Sequence, residues 1–345
     1  MSIEDAGLLP DLWYFALPAG RLKPGRMLAK MLFGRRLLFC RPHAGPVFAL
    51  DDLCPHRAMP LRHGRFDGRE VECCYHGWRF DGAGRCTAIP ALVEGQGFDP
   101  GRIKVRSWPV HEAQGLIWVF AGTDPAAAPL PPELPAIGAR RAGIVEWVEF
   151  PAHVDHAVVG LMDPAHGPFV HRAWWWRSRD SIHAKEKRFE PAELGFRMVR
   201  HAPSRNAAAY KLLGGGISTE ITFRLPGVRV EHIQAGRWDV VGLTAVTPID
   251  ARRSELHHMI WWTAPWLGPI APLFRPFARK FLEQDRRIVE LQQEGLAGNP
   301  PLMLVDDADR PAKWYYRLKR EWAAARAEGR AFVNPVKPRT LHWRS

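Results

Sequence analysis

The stretch CPHRAMPLRHGRFDGREVECCYHGW, residues 54–78, carries three cysteines and three histidines within a short span of chain. Thiolate and imidazole groups are metal ligands, so their spacing decides what they can hold. One residue separates Cys54 from His56, and two residues separate Cys73 from His76, sixteen positions further on. Structural zinc sites usually present pairs of like ligands. Here each pair is mixed, because each half of the stretch supplies one sulfur and one nitrogen.

Mixed pairs suit a [2Fe–2S] centre in which two cysteines bind one iron and two histidines bind the other. The pattern C-x-H-x16-C-x2-H, with CPHR and YHGW around it, resembles the Rieske motif. The resemblance implies a Rieske [2Fe–2S] cluster bound by Cys54, His56, Cys73 and His76. A zinc site and a chance grouping of ligands are the alternatives, but both must account for four suitable residues at these offsets.

Composition and charge narrow the class of protein. The 345-residue chain is 46% hydrophobic and 24% charged, with a formal net charge of +12. Its basic residues are scattered and form no nucleic-acid recognition motif, so the charge suits solubility or the docking of an acidic electron donor. No secretory signal opens the sequence, and no apolar run is long enough for a membrane span.

The cysteines indicate the redox compartment. Two of the five are assigned to iron and the total is odd, so we expect no disulfide framework and predict a cytoplasmic protein. Cys74, next to a predicted ligand, is interpreted as a small buried side chain. His63, between the two ligand pairs, is expected to be solvated.

The order of predicted elements indicates an α+β protein with two domains. Short strand-like segments, LLFC, PVFAL, REVECC, RIKV and LIWVF, fill residues 37–120 and place both ligand pairs at loop tips. A proline-rich segment then predicts a linker. A long β region at 195–263 precedes helical patterns near 270–295 and 312–328. The predicted boundaries are 1–122 for the first domain, 123–143 for the linker and 144–345 for the second domain.

A second group of ligand-type residues lies in DHAVVGLMDPAHGPFVH, where Asp163, His166 and His171 are spaced D-x2-H-x4-H. Taken alone, such histidines are as often surface or core residues. Downstream of a Rieske motif, the pattern resembles the catalytic (alpha) subunit of Rieske non-haem iron oxygenases. The length of the single chain, the TAVTPID segment at 244–250 and the EQDRRIVELQQ segment at 283–293 look more like the vanillate O-demethylase and dicamba monooxygenase branch than the naphthalene dioxygenase branch. The resemblance implies an all-β Rieske domain followed by a helix-grip domain with a mononuclear Fe(II).

A ferrous oxygenase site needs two histidines and one carboxylate on one face of the iron. The predicted helix KFLEQDRRIVELQQEG, 280–295, offers Asp285, and the family places its acidic ligand in a similar EQD-type helix. Because an unpaired buried carboxylate is costly, a metal ion or a buried ion pair with Arg or Lys would explain it. Glu283 and Glu290 are expected on the solvated face. The residues that place Asp285 in an apolar, core-facing stripe are Phe281, Leu282, Ile288 and Val289.

The resemblance implies a terminal oxygenase that combines O2 with electrons from an NAD(P)H-dependent reductase, with or without a ferredoxin. The chain has no GxGxxG unit and no plant-type ferredoxin motif of its own. The first interpretation of the reaction is mono-oxygenation of a hydrophobic, ring-containing substrate, by hydroxylation or by O- or N-demethylation. The alternative reaction is cis-dihydroxylation of an aromatic ring. A Rieske electron-transfer protein without oxygen chemistry is the alternative from another class.

Asp163 receives a catalytic role from the same resemblance. In these enzymes an Asp at this position links an iron-ligand His to a Rieske-ligand His across a subunit boundary. Here those residues would be His166 and His76 of the partner subunit, which implies a homotrimer with head-to-tail contacts. The alternative is that Asp163 is the N-cap of a short helical turn.

Two further features of the sequence concern the substrate pocket and the surroundings of the mononuclear iron. Trp174–Trp176 would either wall a pocket for a flat ring or form an ordinary core cluster. The family often has Asn three or four positions before the Asp of the second motif, where this chain has Gly160 and Val159. This departure concerns the surroundings of the iron rather than its ligands.

Overall fold

A computed structural model of the chain has two structural units, Met1–Pro132 and Glu133–Ser345. The division falls inside the segment predicted as a linker. Trp174–Trp176, interpreted above as either a pocket wall or a core cluster, lie outside the described residues. The structure describes residues 8–126, 128–171, 182–203 and 216–345.

The first unit consists of short antiparallel strands. They form sheets with the orders β1-β11-β10, β2-β3-β4-β9 and β5-β6-β7-β8. Alternating apolar residues and frequent turns favour such strands over helices. The strands are β1 (Trp13–Pro18), β2 (Arg26–Leu32), β3 (Arg35–Arg41), β4 (Phe48–Asp51), β5 (Arg65–Phe66), β6 (Val71–Glu72), β7 (Arg79–Phe80), β8 (Cys86–Ala88), β9 (Ser107–Trp108), β10 (Val110–Ala113) and β11 (Leu116–Phe120).

One predicted strand of this unit is wrong. The segment RIKV follows a tight turn at Pro100–Arg102, and Lys104 forms only an isolated bridge with Arg85. The turn takes up the start of the segment, so too few residues remain extended to build a ladder. The other four predicted segments each contribute to a strand.

An apolar cluster lies beneath the loops that carry the predicted cluster ligands. Leu38 and Leu50 come from the sheet that contains β3 and β4, whereas Val71 and Phe80 come from the small sheet β5-β6-β7-β8. Cys54 and Cys73 are buried members of the same cluster. The thiols therefore emerge from a packed core, which holds the two loops in place.

The second unit is dominated by one antiparallel sheet with the order β12-β18-β17-β16-β15-β14-β13-β19. Long strands of this sheet occupy much of the described part of the β region predicted from the sequence. The strands are β12 (Ile144–Phe150), β13 (Ala184–Ala192), β14 (Gly195–His201), β15 (Ile217–Arg224), β16 (Val228–Ala235), β17 (Trp238–Pro248), β18 (Ser254–Trp262) and β19 (Arg339–Arg344).

The helices cover one face of this sheet. Helix α3 packs against β12, and its Arg275 donates to Glu146, which pairs across the ladder with His258. The helices are α1 (Val154–Met162), α2 (Gly167–Val170), α3 (Leu267–Leu296) and α4 (Arg310–Ala327). No helix within the described residues is both long and apolar enough to cross a membrane. The α+β class and the sheet-plus-long-helix architecture agree with the sequence prediction.

The apolar stripe of α3 differs from expectation. Leu282 and Val289 are buried, but Phe281 is 39% exposed and Ile288 is 48% exposed. Only half of the stripe packs inward, because the rest continues around the helix beyond the edge of its contact with the sheet. Asp285 therefore lies at the border of the packed face, with 25% of its side chain exposed.

Candidate metal centres

The predicted cluster ligands occupy two loops of similar construction. In the first, the carbonyl of Cys54 accepts from the N–H of Ala58, and in the second the carbonyl of Cys73 accepts from the N–H of Gly77. Ala58 and Gly77 both have left-handed backbones, with φ values of 55° and 69°. Gly77 suits this conformation because it has no Cβ. Each loop therefore turns sharply just after its cysteine.

The two loops bring their histidines together. The rings of His56 and His76 have centroids 4.5 Å apart, and His56 stacks on Trp78 with centroids 4.4 Å apart and planes 4° apart. The Nδ1 atom of His76 is buried and has no hydrogen-bond partner among the residues described by the structure. A buried nitrogen without a partner is expected to be costly unless its lone pair binds a metal.

The two thiols are also adjacent. Burial raises the pKa of Cys54 to about 11; the backbone N–H of His56 lowers it, and the neighbouring Cys73 adds to the rise. Burial also lowers the pKa of His56, helped by His76 and Arg57, which favours the neutral imidazole that binds metal. A bound iron would stabilise the thiolates. The four residues thus fit a Cys2His2 cluster site.

The predictions for the two residues near the candidate ligands, His63 and Cys74, differ in how they compare with the structure. His63 is exposed, as predicted. The prediction for Cys74 is wrong, because its side chain is exposed. The loop turns immediately after the buried Cys73, so the next side chain points away from the apolar cluster.

The second candidate centre begins where α1 ends. Asp163 follows the last helical residue, and its Oδ1 accepts from the backbone N–H of Ala165 at 2.7 Å. The N-cap position of α2 belongs to His166 instead, so the interpretation of Asp163 as a helix N-cap is wrong. The single turn of α2 then carries the chain from His166 to His171.

Asp285 on α3 lies next to both histidines. Its Oδ1 is 3.1 Å from Nε2 of His171 and 3.7 Å from Nε2 of His166, and the two Nε2 atoms are 3.1 Å apart. One donor atom from each residue lies within 4.8 Å of the others. Donors about 2.1 Å from a shared ion and at right angles to one another are about 3 Å apart, so the spacing fits one metal ion.

The surroundings of the histidines differ. Nδ1 of His166 is 3.6 Å from Oδ2 of Asp163, an ion-pair distance rather than a hydrogen bond. Burial opposes protonation of His166, but the carboxylates of Asp163 and Asp285 outweigh it and raise its pKa. Burial likewise opposes ionisation of Asp163, but His166 and the N–H of Ala165 lower its pKa. Asp163 and His166 therefore form an electrostatically coupled pair.

The structure adds neighbours that the sequence did not single out. Nδ1 of His171 is 3.2 Å from Oε1 of Gln284, and the His171 ring stacks on Phe281 with centroids 3.5 Å apart. Gln284 and Phe281 share the helix face of Asp285 at helical spacing, a pattern that could have pointed to them. Glu283 and Glu290 face away and pair with Arg286, as expected of a solvated face.

A further polar pair lies on the helix-covered face of the sheet. Oγ1 of Thr244 is 2.8 Å from Nδ1 of His258. Burial lowers the pKa of His258 to about 4, with Arg229 also lowering it while Glu231 and Asp285 act in the opposite direction. His258 is therefore a neutral imidazole on the face that also meets the Asp285 helix. Its position on β18, opposite Glu146, would have required the strand register to predict.

Family models match both parts of the chain. Residues 12–109 match the Rieske [2Fe-2S] domain, and residues 152–325, half of the chain, match the vanillate O-demethylase oxygenase C-terminal domain. The chain belongs to the Rieske non-haem iron oxygenases and corresponds to their catalytic (alpha) subunit. The cofactors of this class are a Rieske [2Fe–2S] cluster and a mononuclear iron.

Two curated relatives show which members of this family the chain resembles in sequence. The chain is 38% identical to a 4beta-methylsterol monooxygenase of Methylococcus capsulatus over 178 residues, which are 50% of this chain and 47% of that protein. It is 38% identical to the oxygenase component of dicamba O-demethylase of Stenotrophomonas maltophilia over 167 residues, 47% of this chain and 48% of that protein. The chain thus spans about half the length of the curated relatives it matches.

The fold is also found in a solved structure. The crystal structure of dicamba monooxygenase bound to dicamba superimposes with a TM-score of 0.70, covering 92% of this chain and 99% of that one at 23% identity. At this identity the likeness concerns the fold.

Proposed function

We propose that this protein is a terminal oxygenase that mono-oxygenates a hydrophobic, ring-containing substrate, by hydroxylation or by O- or N-demethylation. The observation that carries the proposal is the convergence of His166, His171 and Asp285 from two separate segments of chain. Two histidines and one carboxylate on one side of an ion leave other positions open, as non-haem iron oxygenases require. We assign these three residues as ligands of the mononuclear Fe(II).

The cluster is assigned to Cys54, His56, Cys73 and His76 in the first unit. The proposed domain boundaries are residue 122 for the end of the Rieske domain, 123–143 for the linker and 144–345 for the catalytic domain. The chemistry supplied by the bound cofactors is electron storage at the cluster and activation of O2 at the mononuclear iron. The buried thiols favour a closed, structurally rigid cluster site, whereas the partial exposure of Asp285 favours access to the mononuclear site.

The protein's own side chains prepare the mononuclear site. Asp163 faces Nδ1 of His166 and favours a proton on that nitrogen, which leaves the Nε2 lone pair for the metal. Thr244 and the neutral His258 offer hydrogen bonds on the covered face of the sheet.

The printed names of the two relatives described above are those of a monooxygenase and a demethylase. They support mono-oxygenation over cis-dihydroxylation. In a demethylation, hydroxylation of a methyl group on oxygen or nitrogen gives a hemiacetal or hemiaminal that collapses to formaldehyde. Formaldehyde is therefore a diagnostic product.

Electrons are proposed to come from an NAD(P)H-dependent reductase, with or without a ferredoxin. Oxygenases of this family work with such separate partners. Arg57 is exposed beside His56 and lies over the ring of Tyr75, with its guanidinium carbon 5.9 Å from the ring centroid. A positive side chain next to a cluster ligand suits the docking of an acidic donor. The free thiols suit a reducing cytoplasm.

We further propose a homotrimer in which Asp163 connects the two kinds of metal site. On one side Asp163 pairs with His166 of its own subunit. On the other side it would accept a hydrogen bond from His76 of the partner subunit, at the cluster. A head-to-tail arrangement that closes by rotation forms a ring, and Asp163 would then hold the electron-transfer contact together.

The test begins with metal and sulfide analysis of purified protein. A Rieske cluster plus one mononuclear site predicts about three irons and two acid-labile sulfides per chain. Stoichiometric zinc without sulfide would remove the cluster assignment. O2 uptake driven by NADH and a surrogate reductase should then accompany incorporation of one atom from labelled O2. A hydroxylated product keeps that atom, whereas in a demethylation the atom leaves with the formaldehyde. A cis-diol with both labelled atoms would indicate dihydroxylation, and reduction of the cluster with no oxygenated product from any candidate would favour an electron carrier.

A further inference from the structure

The ring of His171 has different partners on its two nitrogens. Nε2 lies 3.1 Å from both Asp285 Oδ1 and His166 Nε2, at the candidate metal site. Nδ1 points the other way and lies 3.2 Å from Oε1 of Gln284. Only 3% of the His171 side chain is exposed, so water has little access to replace this partner.

The Gln284 contact bears directly on which nitrogen of His171 carries its proton. A neutral imidazole has one N–H and one lone pair, and only the nitrogen with the lone pair can bind a metal. When Nδ1–H donates to the amide oxygen of Gln284, the lone pair remains on Nε2, which faces Asp285 and His166. The contact therefore selects the tautomer that the metal site needs.

One face of α3 supports His171 through several side chains. Phe281, Gln284 and Asp285 are spaced i, i+3 and i+4, so their side chains project from the same face. Phe281 stacks on the flat side of the His171 ring at an interplanar angle of 12°. The helix thus supplies the candidate ligand, a surface against which the ring packs, and an acceptor for its distal nitrogen.

The two histidines are also supported by groups of different charge. His166 has the carboxylate of Asp163 near its Nδ1, whereas His171 has a neutral amide. A carboxylate makes a ligand histidine more basic and strengthens its bond to a metal, but an amide mainly fixes its orientation. A neutral partner also avoids a further negative charge beside Asp285.

We propose that Gln284 is a positioning residue that holds His171 in the metal-binding tautomer and orientation. This inference rests on the proposed assignment of His171 and Asp285 as iron ligands. It adds a function for Gln284 that the ligand assignment alone does not require.

The test uses full-length protein with an intact Rieske cluster, from which the mononuclear metal has been removed with a chelator. Gln284→Leu and Gln284→Met remove the acceptor at similar size, and Gln284→Glu keeps an acceptor oxygen. The matched control is Gln292→Leu, a glutamine to leucine change at an exposed position of the same helix. Anaerobic Co(II) titration, followed by the visible spectrum of the bound ion, gives the metal affinity of each protein.

We expect Gln284→Leu and Gln284→Met to bind Co(II) about 10- to 100-fold more weakly than the wild type. Gln284→Glu should recover most of the affinity, and Gln292→Leu should match the wild type. Proton NMR of the Co(II) protein supplies a second readout. The shifted N–H signal of His171 should exchange slowly with solvent in the wild type and rapidly, or not visibly, in the two apolar variants.

Wild-type Co(II) affinity and N–H exchange in either folded apolar variant would overturn the inference. His171→Ala and Asp285→Ala, titrated in parallel, separate this failure from a failure of the proposed function. If both of those variants lose Co(II) binding while Gln284→Leu and Gln284→Met do not, only the role of Gln284 is wrong. If they retain it, the ligand assignment itself is wrong.

Discussion

The two candidate metal centres are built in opposite ways. The candidate ligands of the cluster site all lie within residues 54–78, on two similar loops whose cysteines emerge from a packed apolar cluster. The mononuclear site combines a local pair, His166 and His171, with Asp285 on a helix, and Gln284 lies 113 positions after its neighbour His171. The geometry of the cluster site therefore depends mainly on the turns of its two loops. The geometry of the mononuclear site depends on how α1, α2 and α3 pack against one another.

The largest expected effect comes from removing a cluster ligand. Cys73→Ala should lose the Rieske cluster entirely, and with it all product formation, because a [2Fe–2S] centre cannot hold its iron without both thiolates. The visible spectrum and the EPR signal of the reduced protein measure this loss. Cys74→Ala is the matched control, since that neighbouring thiol is exposed, and it should keep a full cluster. A wild-type cluster in Cys73→Ala would show that the ligand set is misassigned.

Asp285→Ala should separate the two sites. The variant should lose the mononuclear iron and fall to background product formation while its Rieske spectrum stays unchanged, because the two sites share no ligand. Iron analysis and product yield measure both effects, and His166→Ala and His171→Ala should behave alike. Glu283→Ala, on the exposed side of the same helix, should retain iron and activity. Full iron and turnover in Asp285→Ala would mean that another carboxylate is the ligand.

Asp163→Asn tests the link between the sites. Asn keeps the size of the side chain and an oxygen for the N–H of Ala165, but it lacks the charge that acts on His166. We expect both metal centres to be retained, and product formation to fall about 10- to 100-fold, as for other groups that support metal ligands. Stopped-flow bleaching of the cluster by the reductase should stay normal, while single-turnover product yield drops. A wild-type yield would leave Asp163 with a structural role alone.

The smallest effect concerns the helix that leads into the mononuclear site. The hydroxyl of Tyr315 on α4 donates to Oδ1 of Asp155 on α1 at 2.6 Å, and Lys319 contacts the same oxygen. Tyr315→Phe should lower the free energy of unfolding by about 1 to 1.5 kcal/mol, the usual cost of one lost hydrogen bond. Denaturant titration followed by far-UV circular dichroism measures it. The cluster spectrum should be unaffected below the unfolding transition, and an unchanged unfolding midpoint would show that Lys319 alone anchors α1.

Much of the fold was predictable because local patterns are strong. Apolar alternation predicted the β region that becomes β14 to β18, and the helical pattern near 270–295 became α3. The errors have local causes. Residues 102–105 looked extended but follow a turn, and Cys74 looked like a core residue but follows the turn-forming Cys73. Neither could be resolved without knowing where the backbone reverses direction.

The candidate ligands were predictable to different degrees. Cys54, His56, Cys73 and His76 were selected by their spacing and by the resemblance of that spacing to the Rieske motif. A turn places each cysteine near its histidine, and the shared apolar cluster brings the two loops together. Asp285 was selected for an apolar stripe that is in fact half exposed, and the resemblance to known EQD-type helices carried the choice. Its closeness to His171 is a property of how α3 packs, which no local pattern contains.

The sequence by itself determined the kinds of ligand, the pairing of thiolate with imidazole in each loop, and the α+β order of the elements. These properties depend on residue types at short separations, where chain connectivity limits the geometry. Only the tertiary structure brought Asp285 within 3.1 Å of His171, set Gln284 against the far side of the same ring, and placed His258 beside Thr244. Those contacts join segments far apart in sequence, and only the packing of the helices on the sheet selects which of them meet.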